Sequence, residues 1–260
     1  MWKNINLEKV RSYLDAAPPA KTRLDGKNES KSFASGSGAS EARIHAEATP
    51  SVTISRMCGA GGRTVASLLA DFLQAHTLAD RQWTVFDKNL IEKVLEDHHL
   101  SKRLAEYLPE GHKSFFAETI EKMRGLHPST ATMVKHISET IWNLAANGYV
   151  ILVGRAANAI TEKLDNVCHV RLVGSLENRI ARVEKVYDLG RTEAREFIKS
   201  QDEGKRQYMK DYFNRDIEDP LLYHLTINTD DVSYESAARL IGEAVIAASN
   251  RPPPQKATAG

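Results

Sequence analysis

The chain has 260 residues, 42% of them hydrophobic and 27% charged, which suffices for one core of catalytic size with appendages. Its 35 basic and 34 acidic side chains leave a net charge of +1, so the overall balance gives no case for nucleic acid or an anionic membrane; any affinity for anions has to be local. Two cysteines, Cys58 and Cys168, exclude a disulfide framework and a four-thiolate metal site, and with no apolar run near the roughly 20 residues that span a bilayer they point to a cytoplasmic protein.

In chain order, a short helix over Leu7 to Ala16 is followed by "DGKNESKSFASGSGASEARIHAEATP", which holds too little apolar surface to offset the entropy of ordering. Residues 1–50 therefore read as a disordered arm, 51–249 as the folded domain, and 250–260, "NRPPPQKATAG" with its flank, as a disordered tail. Five apolar or β-branched runs recur in the domain: "VTIS" at 52–55, "WTVF" at 83–86, "YVILVG" at 149–154, "CHVRLVG" at 168–174 and "HLTIN" at 224–228. Between most of them lie helical spacings: Val65, Leu68, Leu69, Phe72 and Leu73; Ile91, Val94 and Leu95; Ile137, Ile141, Leu144 and Ala145. Alternating strands and helices predict an α/β fold around a largely parallel sheet. The stretch from about 98 to 148 is too long for a plain crossover and predicts a helical, substrate-covering insertion. From Leu189 to Pro220 charges dominate, and Arg195, Lys199, Asp202, Arg206 and Lys210 share one helical face. Two readings stay open there, a solvated helix and a lid that closes on phosphates.

One turn carries chemistry. "ISRMCGAGGRTV" at 54–65 follows a strand and opens a helix, the context in which glycine-rich backbone and a helix N-terminus bind phosphate. Glycine stands at position 62, where such loops carry lysine, so the mobile positive charge has to come from elsewhere. A tight turn with no ligand is the competing reading of the loop alone.

Several stretches together resemble the cytidylate kinase-like family, a branch of the P-loop nucleoside monophosphate kinases. They are "ISRMCGAGGRTVA" at 54–66, "VFDKNLIEKV" at 85–94, "VILVGRAANAI" at 150–160, "VRLVGSLENRIARV" at 170–183, "DEGKRQYMKDYF" at 202–213 and "YHLTINTDDVS" at 223–233. The resemblance covers nearly all of 51–248 and implies a P-loop NTPase-like sheet of about five strands, with a helical acceptor-site insertion and a helical lid. It also implies ATP and Mg2+ as cofactors and nucleotide substrates. The lysine-less loop is typical of this branch, whereas mainstream cytidylate kinases have Gly-Lys where this chain has Gly61-Gly62.

By that resemblance the nucleotide would lie on Arg56, Cys58, Gly59, Ala60, Gly61, Gly62, Arg63 and Thr64, with Thr64 near the metal and Arg56 or Arg63 supplying the missing charge. Asp87 and Arg155 would hold the acceptor, Asp87 having a helix N-cap as its equal alternative. Arg155 resembles the arginine of a Gly-Arg-Asp motif whose aspartate is Ala156 here. Arg179, Arg182 and Arg206 would join Arg63 and Arg155 in stabilising the transferred charge, and Asp202, Lys205 and Arg206 would belong to the lid. No metal-ligand set is identified; the adjacent His98 and His99 do not face one another on a helix. Trp83, Trp142, Tyr208 and Tyr212 read as core rather than base-stacking residues, and Cys58 as a small loop residue. The functional expectation is a phosphotransferase from ATP to CMP or a related nucleotide. Its alternative is a catalytically weak nucleotide-binding module, with residues 1–50 as a tether to a protein partner.

Overall fold

Ser51–Arg56 forms the central strand, β1, because its alternating Val52 and Ile54 meet one apolar layer while Ser51, Thr53 and Ser55 turn to the other face. The computed structural model of the protein describes residues 49–77, 81–87, 90 and 130–249. After β1 come α1 (Gly62–His76), β2 (Thr84–Phe86), α2 (Thr130–Asn147), β3 (Val150–Val153), α3 (Ala157–Ile160) and β4 (Val167–Val173). These are followed by α4 (Leu176–Tyr187), α5 (Arg191–Phe213), a single 3-10 turn at Pro220–Leu222, β5 (Leu225–Asn228) and α6 (Tyr234–Ser249). Residues 1–48 of the expected arm, the tail, His98, His99 and the helical spacing at Ile91, Val94 and Leu95 lie outside the described residues, whereas Thr49 and Pro50 bond to Asn147 and Tyr149. Among the described residues no helix is long and apolar enough to cross a membrane.

All five expected runs form strands, in the order β2-β3-β1-β4-β5, and every pairing is parallel. The sheet is thus of the predicted P-loop NTPase-like kind, flanked by helices. Because the chain passes from β1 to the edge strand β2, returns to β3 beside β1 and then crosses to β4 on the other side, a crevice opens at the C-terminal end of β1, where open parallel sheets bind ligands.

The two faces are built differently. On one, α1 and α6 pack over Val52, Ile54, Ile151, Val153, Val170 and Leu172, with Leu69 and Leu73 fully buried. Each such leucine contributes on the order of 1.5–3 kcal/mol of apolar burial. On the other face, α2 sets Ile137, Ile141 and Leu144 against Phe86, Val150 and Leu152, as the helical spacing predicts.

The central strands carry a buried polar stripe on this second face. Ser51 donates to Ala145 O (2.9 Å), Thr53 Oγ1 lies 2.8 Å from His169 Nδ1, and Arg171 Nη1 donates to Ser55 Oγ (3.0 Å). Arg171 also pairs with Glu218 (2.8 Å) and lies over the Tyr223 ring, so its buried charge is compensated.

The charged segment after Leu189 is a helix whose face with Arg195, Lys199, Arg206 and Lys210 is exposed while the opposite face is buried. α5 buries Ala194 and Ile198 against Ile180 and Val183 of α4, forming a small separate core that Cys58 of the glycine loop also touches. That core couples the lid helix to the loop.

Candidate active site

The glycine loop turns at Gly59 (φ 82°) and Gly61 (φ 79°), conformations that residues with a Cβ adopt at a cost. Gly61 is the N-cap of α1, no side chain caps the helix, and its first turn holds no acid. The opening amides of α1 are therefore not consumed by a capping side chain.

Both arginines flanking the loop reach one carboxylate. Arg63 Nε donates to Asp87 Oδ2 at the end of β2, and Arg56 Nη2 lies 3.9 Å from Asp87 Oδ1. Arg63 thus points across the crevice mouth and is half-exposed. Arg56 lies inward: a Cβ built on Gly62 would meet Arg56 Cγ at 2.9 Å and its Cβ and Cδ at 3.2 Å. The stem of Arg56 fills the space in which a side chain at position 62 would begin. Asp87 serves as their shared ion-pair partner, beyond the backbone bond from Leu90 N–H to its carbonyl.

Across the crevice, α5 places Asp202 on the loop. Cys58 N–H donates to Asp202 Oδ1 (2.7 Å), Arg179 Nη1 donates to Asp202 Oδ2 (2.6 Å) and Lys205 Nζ to Oδ1 (3.2 Å). Arg179 also donates to the carbonyls of Cys58 and Gly174, and both it and Lys205 are buried. Arg182 bonds Thr229 and Gly59 O and lies over the Tyr234 ring, whose edge occupies the space beside Gly61. Its neighbour Asp230 accepts from Ser175 N–H, and that bond chiefly holds its carboxyl below the usual range. Arg206 stands apart: it pairs with Glu203 (2.6 Å) and approaches Glu218 at 3.9 Å on the outer side of α5. Burial pushes the Cys58 thiol up. Thr64 is half-buried in the first turn of α1.

At the end of β3, Gly154 (φ 83°), Arg155 (φ 58°) and Ala156 (φ 54°) are left-handed in succession. Two such non-glycine residues cost on the order of 1–3 kcal/mol each, and strain of this kind gathers at functional sites. The turn holds Arg155 half-buried and directs α3 over the crevice.

The model of the cytidylate kinase-like family matches residues 51–231. The chain belongs to that family. Among solved structures, that of an uncharacterized protein from Eubacterium ventriosum is 18% identical, with 76% of this chain and 99% of that one covered at a TM-score of 0.56. Shikimate kinase from Acinetobacter baumannii, in complex with shikimate, is 16% identical over 79% of this chain and 97% of its own, at 0.43. Shikimate kinase from Bacteroides thetaiotaomicron is 13% identical over 76% and 98%, at 0.44. At these identities the likeness is one of fold. No curated protein matches the chain.

In this cytidylate kinase-like chain, several residues of the crevice escaped sequence reasoning. A cleft beside the loop is lined by Ser55, Arg56, Ala156, Asn158, Lys205 and Tyr208, among others. Ser55, Asn158 and Arg171, which holds Ser55, lay within the family-like stretches without being singled out as site residues. The one available signal was a basic residue inside an otherwise apolar run, since arginine is rarely buried without a partner or a task. Trp83 is core, as expected, whereas Tyr208 lines the cleft and Trp142 and Tyr212 are exposed.

Proposed function

We propose that the chain is a phosphotransferase that moves the γ-phosphoryl group of ATP onto CMP or a related nucleoside monophosphate. The observation that carries this reading is the anion seated at the loop: a carboxylate oxygen of Asp202 takes a loop amide while Arg179 and Lys205 converge on the same group. An amide and two cations around one carboxylate form a setting that suits a donor phosphate equally well.

Donor phosphates suit the loop, since the N-terminal amides of α1 carry no side-chain cap and its first turn holds no acid. Mg2+ would rest on the nucleotide's own phosphates, with Thr64 in the first turn of α1 supplying a hydroxyl beside the loop; among the described residues no group of three or more His, Cys, Asp or Glu could hold a metal. When bound, Mg2+ neutralises charge between the donor phosphates. The chain's own part is positioning. Displacing Asp202 from Cys58 N–H turns Arg179 and Lys205 toward incoming phosphate, and Arg56 stands where the usual lysine would begin. Arg155, Asp87 and Arg63 border the acceptor side, and Arg182 ties the lid to the donor side through Thr229. Arg206, paired outward, enters only if the lid rotates. The acceptor phosphate is already an anion, so no general base is required.

The second reading is a nucleotide-binding module with weak transfer, tethered to a protein partner through residues 1–50. It is favoured by the pairing of both loop-flanking arginines with Asp87 and by Ala156 in place of a carboxylate. One assay separates the two: purified protein with MgATP and CMP, dCMP, UMP, AMP or GMP, followed for diphosphate product. Turnover of at least one acceptor is expected. Nucleotide binding without turnover of any would overturn the phosphotransferase reading in favour of the module.

A further inference from the structure

Of the two arginines that α4 brings to the glycine loop, Arg179 has its charge offset at close range, by Asp202 at 2.6 Å. Arg182 is held differently. Its guanidinium donates to Thr229 Oγ1 (3.0 Å), to Thr229 O and, at 3.4 Å, to Gly59 O of the loop, all of them neutral acceptors. The one carboxylate within 4 Å of it among the described residues, that of Asp230, stands 3.9 Å away, and the other oxygen of that group accepts from Ser175 N–H. What lies over the guanidinium is an aromatic face, the ring of Tyr234, with Arg182 Cζ 5.4 Å from its centroid.

Tyr234 is the first residue of α6, and Ser233 just before it fixes the start of that helix by accepting from Ser236 N–H at 3.2 Å. The ring is then held on three sides. It packs on the apolar layer beneath α1 and α6, it carries Arg182 on its face, and its edge abuts Gly61, where an added Cβ would overlap Cε1 and Cζ and lie 2.7 Å from Oη. A carboxylate in that place would also hold the arginine, but it would cancel the charge. An aromatic face attracts a guanidinium through its quadrupole and leaves the positive charge intact. Because the same ring rests on the left-handed Gly61, it also fixes where that charge stands relative to the loop.

Building on the phosphotransferase reading, we propose that Tyr234 is a positioning residue for the donor side: its ring holds Arg182 at the glycine loop with the guanidinium charge unspent, ready for the polyphosphate of the donor. Tyr234 acts through Arg182 and makes no bond to the phosphates itself. The ring, and not the hydroxyl, carries this role, so phenylalanine should replace tyrosine while an aliphatic side chain should not.

The test compares the full chain as wild type, Tyr234→Phe, Tyr234→Leu, Arg182→Gln and the double variant Tyr234→Leu with Arg182→Gln, Tyr234→Met standing in if leucine prevents folding. Each is titrated calorimetrically with MgATP and with inorganic tripolyphosphate, which carries the charge of the donor phosphates without a base. Losing a cation–π contact corresponds to roughly 3- to 30-fold in affinity. Tyr234→Leu is therefore expected to bind both anions at least 3-fold more weakly, and Tyr234→Phe to stay within 2-fold of wild type. With Arg182→Gln present, Tyr234→Leu should change either affinity by less than 2-fold. An equal loss in both backgrounds would mean that the ring acts on the loop alone; a loss for MgATP with none for tripolyphosphate, that it serves the base; tighter binding by Tyr234→Leu, that it holds Arg182 back. Each of these overturns the proposal, as do unchanged affinities or a wild type that binds neither anion. Turnover is read separately: Tyr234→Leu should raise the KM for MgATP at least 3-fold, leave that of the acceptor within 2-fold, and be matched to wild type by Tyr234→Phe. Absence of turnover in every protein, wild type included, removes the phosphotransferase reading, and the titrations still decide the role of Tyr234.

Discussion

A methyl group at position 62 tests whether Arg56 has taken the lysine's place. In the native protein a new Cβ would lie 2.9 Å from Arg56 Cγ and 3.2 Å from its Cβ and Cδ, atoms near the backbone that cannot swing aside as a side-chain tip can. Overpacking of this kind costs about 1–3 kcal/mol, and alanine's helical advantage over glycine returns about 0.5–1 kcal/mol. Gly62→Ala should therefore destabilise by about 0.5–2 kcal/mol. With Arg56→Ala already present, Cγ and Cδ are gone and a single 3.2 Å contact remains. The same methyl should then be neutral or stabilising by up to about 1 kcal/mol. The two substitutions are thus expected to couple by about 1–2 kcal/mol, well above the additivity limit of about 0.5 kcal/mol for independent sites. Urea unfolding of the four proteins measures it: at about 2 kcal/mol per molar urea, the coupling appears as about 0.5–1 M in midpoint. Additive costs would show that the Arg56 stem does not fill the lysine position. Function should follow the same geometry. Gly62→Lys alone should lose nucleotide affinity, and Arg56→Ala with Gly62→Lys should regain it.

Asp202→Asn removes the anion from the loop, so ATP should bind several-fold more tightly, while loss of the charge-assisted bonds to Arg179 and Lys205 lowers stability by about 1–3 kcal/mol; unchanged affinity by fluorescent-nucleotide titration would contradict the displacement step. Arg155→Ala should slow transfer by about 10-fold or more, the equivalent of about 1.4 kcal/mol, in steady-state kinetics with saturating MgATP. His169 is held near pH 4 by burial and by the neighbouring His224, against an ordinary 6.5. Between those values the unfolded chain binds a proton that the folded one refuses, so stability is full above about 6.5 and falls by up to about 3 kcal/mol as pH drops toward 4. His169→Gln should flatten unfolding midpoints measured across that interval. Leu69→Ala, at a fully buried position of α1, should cost about 2–5 kcal/mol in the same unfolding assay.

The elements were legible because their signals are local. Val150 to Val153 is apolar on both faces because α1 with α6 lies on one side of the sheet and α2 on the other. Val65, Leu69 and Leu73 repeat at helical spacing, and their helix appeared. The segment after Leu189 left a solvated helix and a lid both open because its charges outnumber its apolar residues, and its charged face is indeed exposed at Arg195, Lys199, Arg206 and Lys210. Ala194 and Ile198, one turn apart, were enough to seat it on α4. The glycine turn was legible as a strand-to-helix turn, since Gly59 and Gly61 take the left-handed conformations such a turn needs.

What the sequence could determine, then, was where strand, turn and helix follow one another, since glycine's backbone freedom and apolar periodicity act over a few residues. Only the tertiary structure decided which side chains meet. Arg56 and Arg63 were equal candidates along the chain until folding sent both to Asp87 and laid the stem of one over Gly62. Asp202 was one charge among many on a helix face until α5 docked and set it on Cys58 N–H, 144 residues away. Asn158 lay within a family-like stretch without being singled out, because an amide unmatched among the described residues exists only once every neighbour around it has been placed. Side-chain convergence across a crevice depends on strand order and helix docking, which no spacing within a single segment encodes.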